Sequence, residues 1–277
     1  MHSQSHRAGL SATPSTACAR RDVPEWARQA GSIPGPSDSV RVLGVEIQRM
    51  TSADADAALK MLMHDTRAHG VYIVNAATAN LCYEDSDYRA CINRGHLVLN
   101  DGTGVRWAAR WERRPLSHNH VGTDLVPRLC HAGRHWDMRV FFLGGQPGVA
   151  AAAAGALASS FPGLVVAGHH HGYVTPQDDE SLCRSINAAR PHLLLVAMGN
   201  PLQEVWIDRN LHRLERGVAI GVGGLFDHLA GRLRRAPRWV RAWGCEWMQI
   251  LLQQPHKWRR YLLGNPLFLY RMIFGRL

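Results

Sequence analysis

The run HLVLNDGTGVRWAAR, residues 96–110, places an acid at a junction. An apolar stretch of the kind that makes a buried strand ends near Leu99, and a helix-forming stretch opens at Gly104. Between them stand Asn100, Asp101 and Gly102. A carboxylate at a strand end, held by glycine-rich backbone, is rigid and can take a proton from a substrate hydroxyl. The same Asp-Gly pair is also common turn material, and Asp often caps a following helix. Other junctions pose the same choice: Asn75, Gly144–Gly145, His169–Tyr173, Asn200–Glu204 and Gly223–Asp227. GGQPG at 144–148 could cradle a phosphate at a helix start, yet it lacks the GxGxxG and GxxxxGK[ST] spacings. HHH at 169–171 suggests a metal, but adjacent strand residues alternate faces and cannot all meet one ion. No DxD-like pair stands at a strand end, so no metal site and no cofactor are expected.

These residues need a scaffold, and the pattern around them supplies one. Short β-rich runs occur at 70–76, 96–101, 139–145, 164–172, 192–199 and 217–224, each followed by an amphipathic stretch. Apolar strands alternating with helices predict a mostly parallel sheet with helices on both faces, a Rossmann-like α/β fold. An early strand pair, SVRVLGVEIQRMT, and the helix SADADAALKMLMHDTRA open this domain near residue 39. In such sheets ligands bind beyond the carboxyl ends of the strands, which is where the singled-out residues fall.

Composition divides the 277-residue chain into three. Residues 1–38, rich in Ser, Pro, Gly and Ala, are expected to be a disordered lead-in, and 39–231 the α/β core. Residues 232–277 carry ten Lys/Arg against one acid, Glu246, and hold Trp239, Trp243, Trp247 and Trp258. Basic residues mixed with Trp, Leu and Phe suit a helical appendage lying on an anionic membrane surface. No window reaches the ~20 unbroken apolar residues of a spanning helix. No nucleic-acid-binding module is recognisable, so no nucleic-acid partner is expected. Six scattered cysteines without CxxC spacing, and no apolar leader, predict reduced thiols and a cytosolic protein.

LVLNDGTGVRWAAR, VGTDL, FFLGG, GHHHGYV, MGNPLQEVWI and GVGGLFDHLAGRLRRAPRWVRAWGCEWMQILLQQPHKWRRY occur in this order. Together they closely resemble the WecG/TagA/CpsF family of bacterial glycosyltransferases over roughly residues 40–272. The resemblance implies an inverting transfer of a hexose-type sugar from a UDP-sugar to a polyprenyl-diphosphate-linked saccharide. It implies surface-polysaccharide or wall-polymer synthesis, on the inner face of the cell membrane. Asp101 of the Asp-Gly motif is then the base, with Asn100 and Gly102 beside the substrate. Gln203 of GxPxQE is grouped with it as catalytic; it and Asn75 are expected to hold donor sugar or acceptor. Glu204 is expected as a partner for backbone or Arg in the same site. Tyr173 and Asp227 are expected near ribose and uracil, where a carboxylate can accept from uracil N3–H. Gly144, Gly145, Gly223 and Gly224 would let backbone approach the nucleotide closely. Arg235, Lys257, Arg259 and Arg260 are candidates to neutralise the leaving diphosphate, so the appendage would also close the site.

The chain departs from common family residues at Ile73, Asn119 and Ile250, where relatives often carry Thr, Arg and Arg. The first two bear on donor specificity and the third on which cation meets the diphosphate. Two alternatives stand beside the enzyme: a membrane-associated nucleotide-sugar-binding scaffold whose site has decayed, and a nucleotide-binding dehydrogenase. The second lacks the GxGxxG fingerprint.

Overall fold

The structure, a computed structural model, describes residues 38–237, 239, 240, 243 and 246–275. The expected lead-in lies outside the described residues except for its last position, Asp38.

β1 (Ser39–Val42) and β2 (Val45–Gln48) form an antiparallel hairpin. Its two-residue turn puts Leu43 at φ 46° and Gly44 at φ 80°, the left-handed backbone region whose turn matches the right-handed twist of the paired strands. Helix α1 (Ser52–His64) follows, started by a capping box in which Thr51 and Asp54 satisfy each other's backbone N–H groups.

The main sheet has six parallel strands: β3 (Ala68–Val74), β4 (Leu97–Asn100), β5 (Arg139–Gly144), β6 (Val165–His170), β7 (Leu193–Ala197) and β8 (Gly217–Gly221). Their spatial order is β4-β3-β8-β7-β5-β6, so the last strand is inserted in the middle. Each of the six β-rich runs in the sequence is one of these strands. The reason is burial on both faces, which makes the whole run apolar. Along β3, Val71 and Ile73 enter one core while Tyr72 and Val74 enter the other. On β5, Val140 and Phe142 oppose Phe141 and Leu143 in the same alternation. Parallel strands place all six carboxyl ends along one rim.

Helices cover both faces: α2 (Ala76–Glu84), α3 (Ser86–Asn93), α4 (Thr103–Trp111), α5 (Gly122–Gly133), α6 (Val149–Ser160), α7 (Asp179–Ala189), α8 (Leu202–Asn210) and α9 (Leu225–Leu229). The C-terminal segment adds α10 (Glu246–Gln253), a π-helical stretch at Arg259–Leu263 and α11 (Gly264–Phe274). No helix among the described residues is long and apolar enough to cross a membrane.

The segment expected as an appendage is tied into the body. Phe268 of α11 is 1% exposed and belongs to the core beside α2 and α4. Asn80 donates to the Gly264 carbonyl at 2.8 Å, and Arg271 bonds Asn80 and, at 2.6 Å, Glu84. Packing and polar contacts therefore fix α11 on α2.

Candidate active site

Asp101 follows β4 directly, and its N–H donates to the Val74 carbonyl at 2.8 Å. Helix α4 takes Gly102, at φ 86°, as its N-cap residue, and no side chain caps it. Asp101 is thus not the cap that turn chemistry would make it. Asp101 is half-buried at the rim of the sheet, and burial pushes its pKa up to about 6. The negative charge of Glu246 adds to that rise, while Arg260 and Arg235 oppose it. Residues far apart in sequence therefore share one electrostatic neighbourhood, and the C-terminal segment supplies most of it.

The cations sort by geometry. Arg260 has a buried Nε without a hydrogen-bond partner, and its charge acts on Asp101, Glu204 and Lys257. Lys257 is half-buried, held below its ordinary pKa by burial and by Arg260, and attracted by Asp227. Arg259 instead is exposed, its guanidinium lying over the Trp258 ring at 5.4 Å. Arg235 is already committed: it grips Asp124 with two bonds of 2.6 Å and reaches Glu246 at 3.3 Å. That bidentate pair latches the C-terminal segment to α5. Of the four cations the sequence proposed for a diphosphate, Arg260 acts on Asp101, Lys257 lies within the field of Arg260 and Asp227, and Arg235 is a latch.

Below the same rim runs a buried network. Asn75 caps α2, its Oδ1 accepting from the Ala77 and Thr78 N–H groups and the Thr78 hydroxyl. Asn200 donates to Thr78 and, at 2.6 Å, to Glu204. Glu204, fully buried, also accepts from Gln203 at 2.7 Å and from the Tyr88 hydroxyl at 3.0 Å. Burial pushes its pKa up to about 7. The Gln203 Oε1 accepts from Gly223 N–H at 3.0 Å and from Gly199 N–H at 3.3 Å. Gln203 and Glu204 thereby pin the loops after β7 and β8 in place. Gln203 is 2% exposed, so the geometry makes it a positioning residue rather than one that touches a reacting atom. Asn100 is a brace as well, donating to the His118 carbonyl at 2.9 Å and the Asn119 side chain at 3.0 Å. Its own Oδ1 is buried without a partner, as is the Thr123 hydroxyl.

The glycines separate into two kinds. A Cβ on Gly102, Gly223 or Gly224 would meet nothing within 4 Å, so their backbone fronts open space. A Cβ on Gly144 would come 2.4 Å from the Ala197 carbonyl oxygen, and one on Gly145 2.8 Å from Val149. Those two are glycine because protein fills the space beside them, a different reason from approach to a nucleotide. Tyr173 follows β6 and is 69% exposed. It stands at the edge of the sheet opposite Asp101, five strand spacings or about 24 Å across. Asp227 lies in the first turn of α9, half-buried and within the field of Lys257. Ile73 is buried in the core, Asn119 is held by Asn100, and Ile250 is half-buried on α10. The His170 and His171 rings pack together at 4.3 Å. No three His, Cys, Asp or Glu side chains converge as a metal-ligand set among the described residues.

Glu246 and Asp124 were not singled out from the sequence. The available signal was Glu246 itself, the one acid in a segment of ten bases.

The sequence model of the glycosyl transferase WecG/TagA/CpsF family matches residues 40–277. The chain belongs to that family. Among its relatives are three proteins named N-acetylglucosaminyldiphosphoundecaprenol N-acetyl-beta-D-mannosaminyltransferase. The Bacillus spizizenii protein is 35% identical over 63% of this chain and 67% of its own length. The Staphylococcus aureus protein is 31% identical over 84% of this chain and 91% of its own. The Bacillus subtilis protein is 31% identical over 68% and 73% respectively. The rim of the parallel sheet in this family member brings Asp101, Arg260 and Lys257 into one electrostatic neighbourhood.

Proposed function

We propose that this glycosyltransferase moves a hexose-type sugar from a UDP-sugar to a polyprenyl-diphosphate-linked saccharide, inverting the anomeric centre. The relatives' names, which specify a sugar on diphosphoundecaprenol as acceptor, support this choice of substrate. The observation that supports the mechanism best is the Asp101 carboxyl: not spent on capping α4, raised to about 6, and within the field of Arg260. Asp101 takes the proton of the acceptor hydroxyl as its oxygen bonds the anomeric carbon, and the bond from that carbon to the UDP oxygen breaks. Arg260 and Lys257 meet the charge that builds on the departing diphosphate. Gln203, Glu204 and Asn75 hold the surrounding loops, and Gly223 and Gly224 line the crevice with backbone. Residues 39–231 carry the sheet and the base, while 232–277 close over the site and meet the inner membrane surface.

The test is UDP release from a panel of UDP-sugars with a short-chain polyprenyl-diphosphate saccharide, comparing wild type with Asp101→Asn. Turnover should fall by about 10²-fold or more, the range of a lost general base, with UDP affinity little changed. Wild-type protein that binds UDP-sugars and turns over none of them would support the decayed-scaffold reading instead.

A further inference from the structure

Exposed apolar surface is not confined to the C-terminal segment. Helix α4 leaves Trp107 59% and Trp111 65% exposed, one turn apart on the same face. Val105, Ala108 and Ala109 are buried on its other side. Arg110 and Arg113 are exposed beside the tryptophans, and residues 106–114 hold four arginines against one acid, Glu112. Two large aromatic rings open to solvent on a single helix mark an interaction surface. That surface continues onto α11. A Cβ on Gly104 would lie 3.5 Å from the Phe268 ring, so the two helices touch. Beyond that contact α11 exposes Leu267, Leu269, Tyr270, Ile273 and Phe274.

We propose that α4 is itself a membrane-contacting element: Trp107 and Trp111 enter the headgroup boundary of an anionic bilayer while Arg110 and Arg113 pair with lipid phosphates. This rests on the reading of a lipid-linked acceptor given above. Tryptophan with arginine is the pairing such an interface favours, because the ring has an apolar body and a polar N–H. A second copy of the chain fits worse, since it would bring the same arginines against themselves. The consequence is catalytic geometry. Asp101 immediately precedes the Gly102 cap of α4. At 1.5 Å rise per residue, Trp107 and Trp111 lie about 9 and 15 Å along the helix from it. With both rings of one face in the headgroup boundary the helix lies along the lipid surface, and as a rigid element it holds the base at a set distance from the two anchored rings. A saccharide joined to lipid through a diphosphate presents its hydroxyl close to that same surface.

The experiment uses the full chain with Trp107→Ser and Trp111→Ser together, and a second variant with Tyr270→Ser and Phe274→Ser. Binding to vesicles of phosphatidylglycerol and phosphatidylcholine is measured by sedimentation, and UDP release with vesicle-borne and with short-chain soluble acceptor. The α4 variant should bind vesicles about tenfold more weakly or worse, as loss of two partly buried rings implies. Its turnover should fall on the vesicle-borne acceptor and stay normal on the soluble one, with an unchanged melting temperature. Undiminished vesicle binding by the α4 variant, with binding lost in the α11 variant, overturns the α4 proposal and leaves the membrane reading standing. Wild-type protein that ignores the vesicles overturns both. Equal loss of turnover on both acceptors overturns the proposal by placing the tryptophans in the site. A wild-type dimer that the α4 substitutions convert to monomer, with vesicle binding intact, also overturns it.

Discussion

Asp101 carries an unfavourable ionisation that should be visible in stability as well as in rate. Its pKa rises from 3.8 to about 6 on folding, so between these values the folded chain holds a proton that the unfolded chain has released. Its contribution to stability is complete below about pH 4 and is lost as pH rises through 6. Asp101→Asn should therefore melt higher than wild type at pH 8, by on the order of 2 °C or more, and the difference should vanish toward pH 4. A calorimetric scan at both pH values checks this; an Asn variant that melts lower at pH 8 would mean that the carboxylate makes a stabilising contact. Arg260 offers a second residue-scale test. Arg260→Met should cut kcat by about 10²-fold, typical of removing a preorganised charge from a developing anion. It should also move the base's apparent pKa upward, because Arg260 holds Asp101 down. Arg259→Met, on the exposed side with Trp258, should leave both values near wild type.

At the scale of elements, the C-terminal helix is held by the ring of Phe268 and by the bonds from Asn80 and Arg271. Phe268→Ala should cost about 3–5 kcal/mol, the range for a buried Phe, and should loosen the Arg260 side of the crevice with it. Thermal unfolding with UDP release on the soluble acceptor would show both; an unchanged melting point would mean that α11 is not packed as described. This contact also shows what a sequence reveals. All six strands were legible because burial on both faces writes an uninterrupted apolar run. The place of Asp101 at a strand end was legible because glycine and a strand end are local signals. The docking of Phe268 was not, since a Phe in an amphipathic tail reads equally as lipid-facing or core-facing. The Arg235 latch was missed for a related reason. Its partner Asp124 lies 111 residues away, and one Arg in a basic segment looks like any other. Gly144 and Gly145 looked like nucleotide glycines, although their neighbours Ala197 and Val149 already explain them.

For the whole molecule, charge is unevenly spread along the chain. The chain is +10, and nine of those charges reside in residues 232–277. Binding to anionic vesicles should weaken steeply between low salt and physiological salt, each basic residue near the surface contributing about 1 kcal/mol. Binding that salt leaves untouched would point to the aromatic residues alone. Turnover should persist in EDTA if, as proposed, Arg260 and Lys257 neutralise the diphosphate; loss on chelation with rescue by Mg²⁺ would show a metal sharing that task. The central claim, that Asp101 is the base, is tested most directly by the pH profile of kcat/KM for UDP release, in wild type and in Asp101→Asn. Wild type should lose about tenfold per pH unit below an apparent pKa near 6, while the Asn variant should be about 10²-fold slower and lack that step. An Asn variant that keeps the same acid limb at a comparable rate would contradict the account.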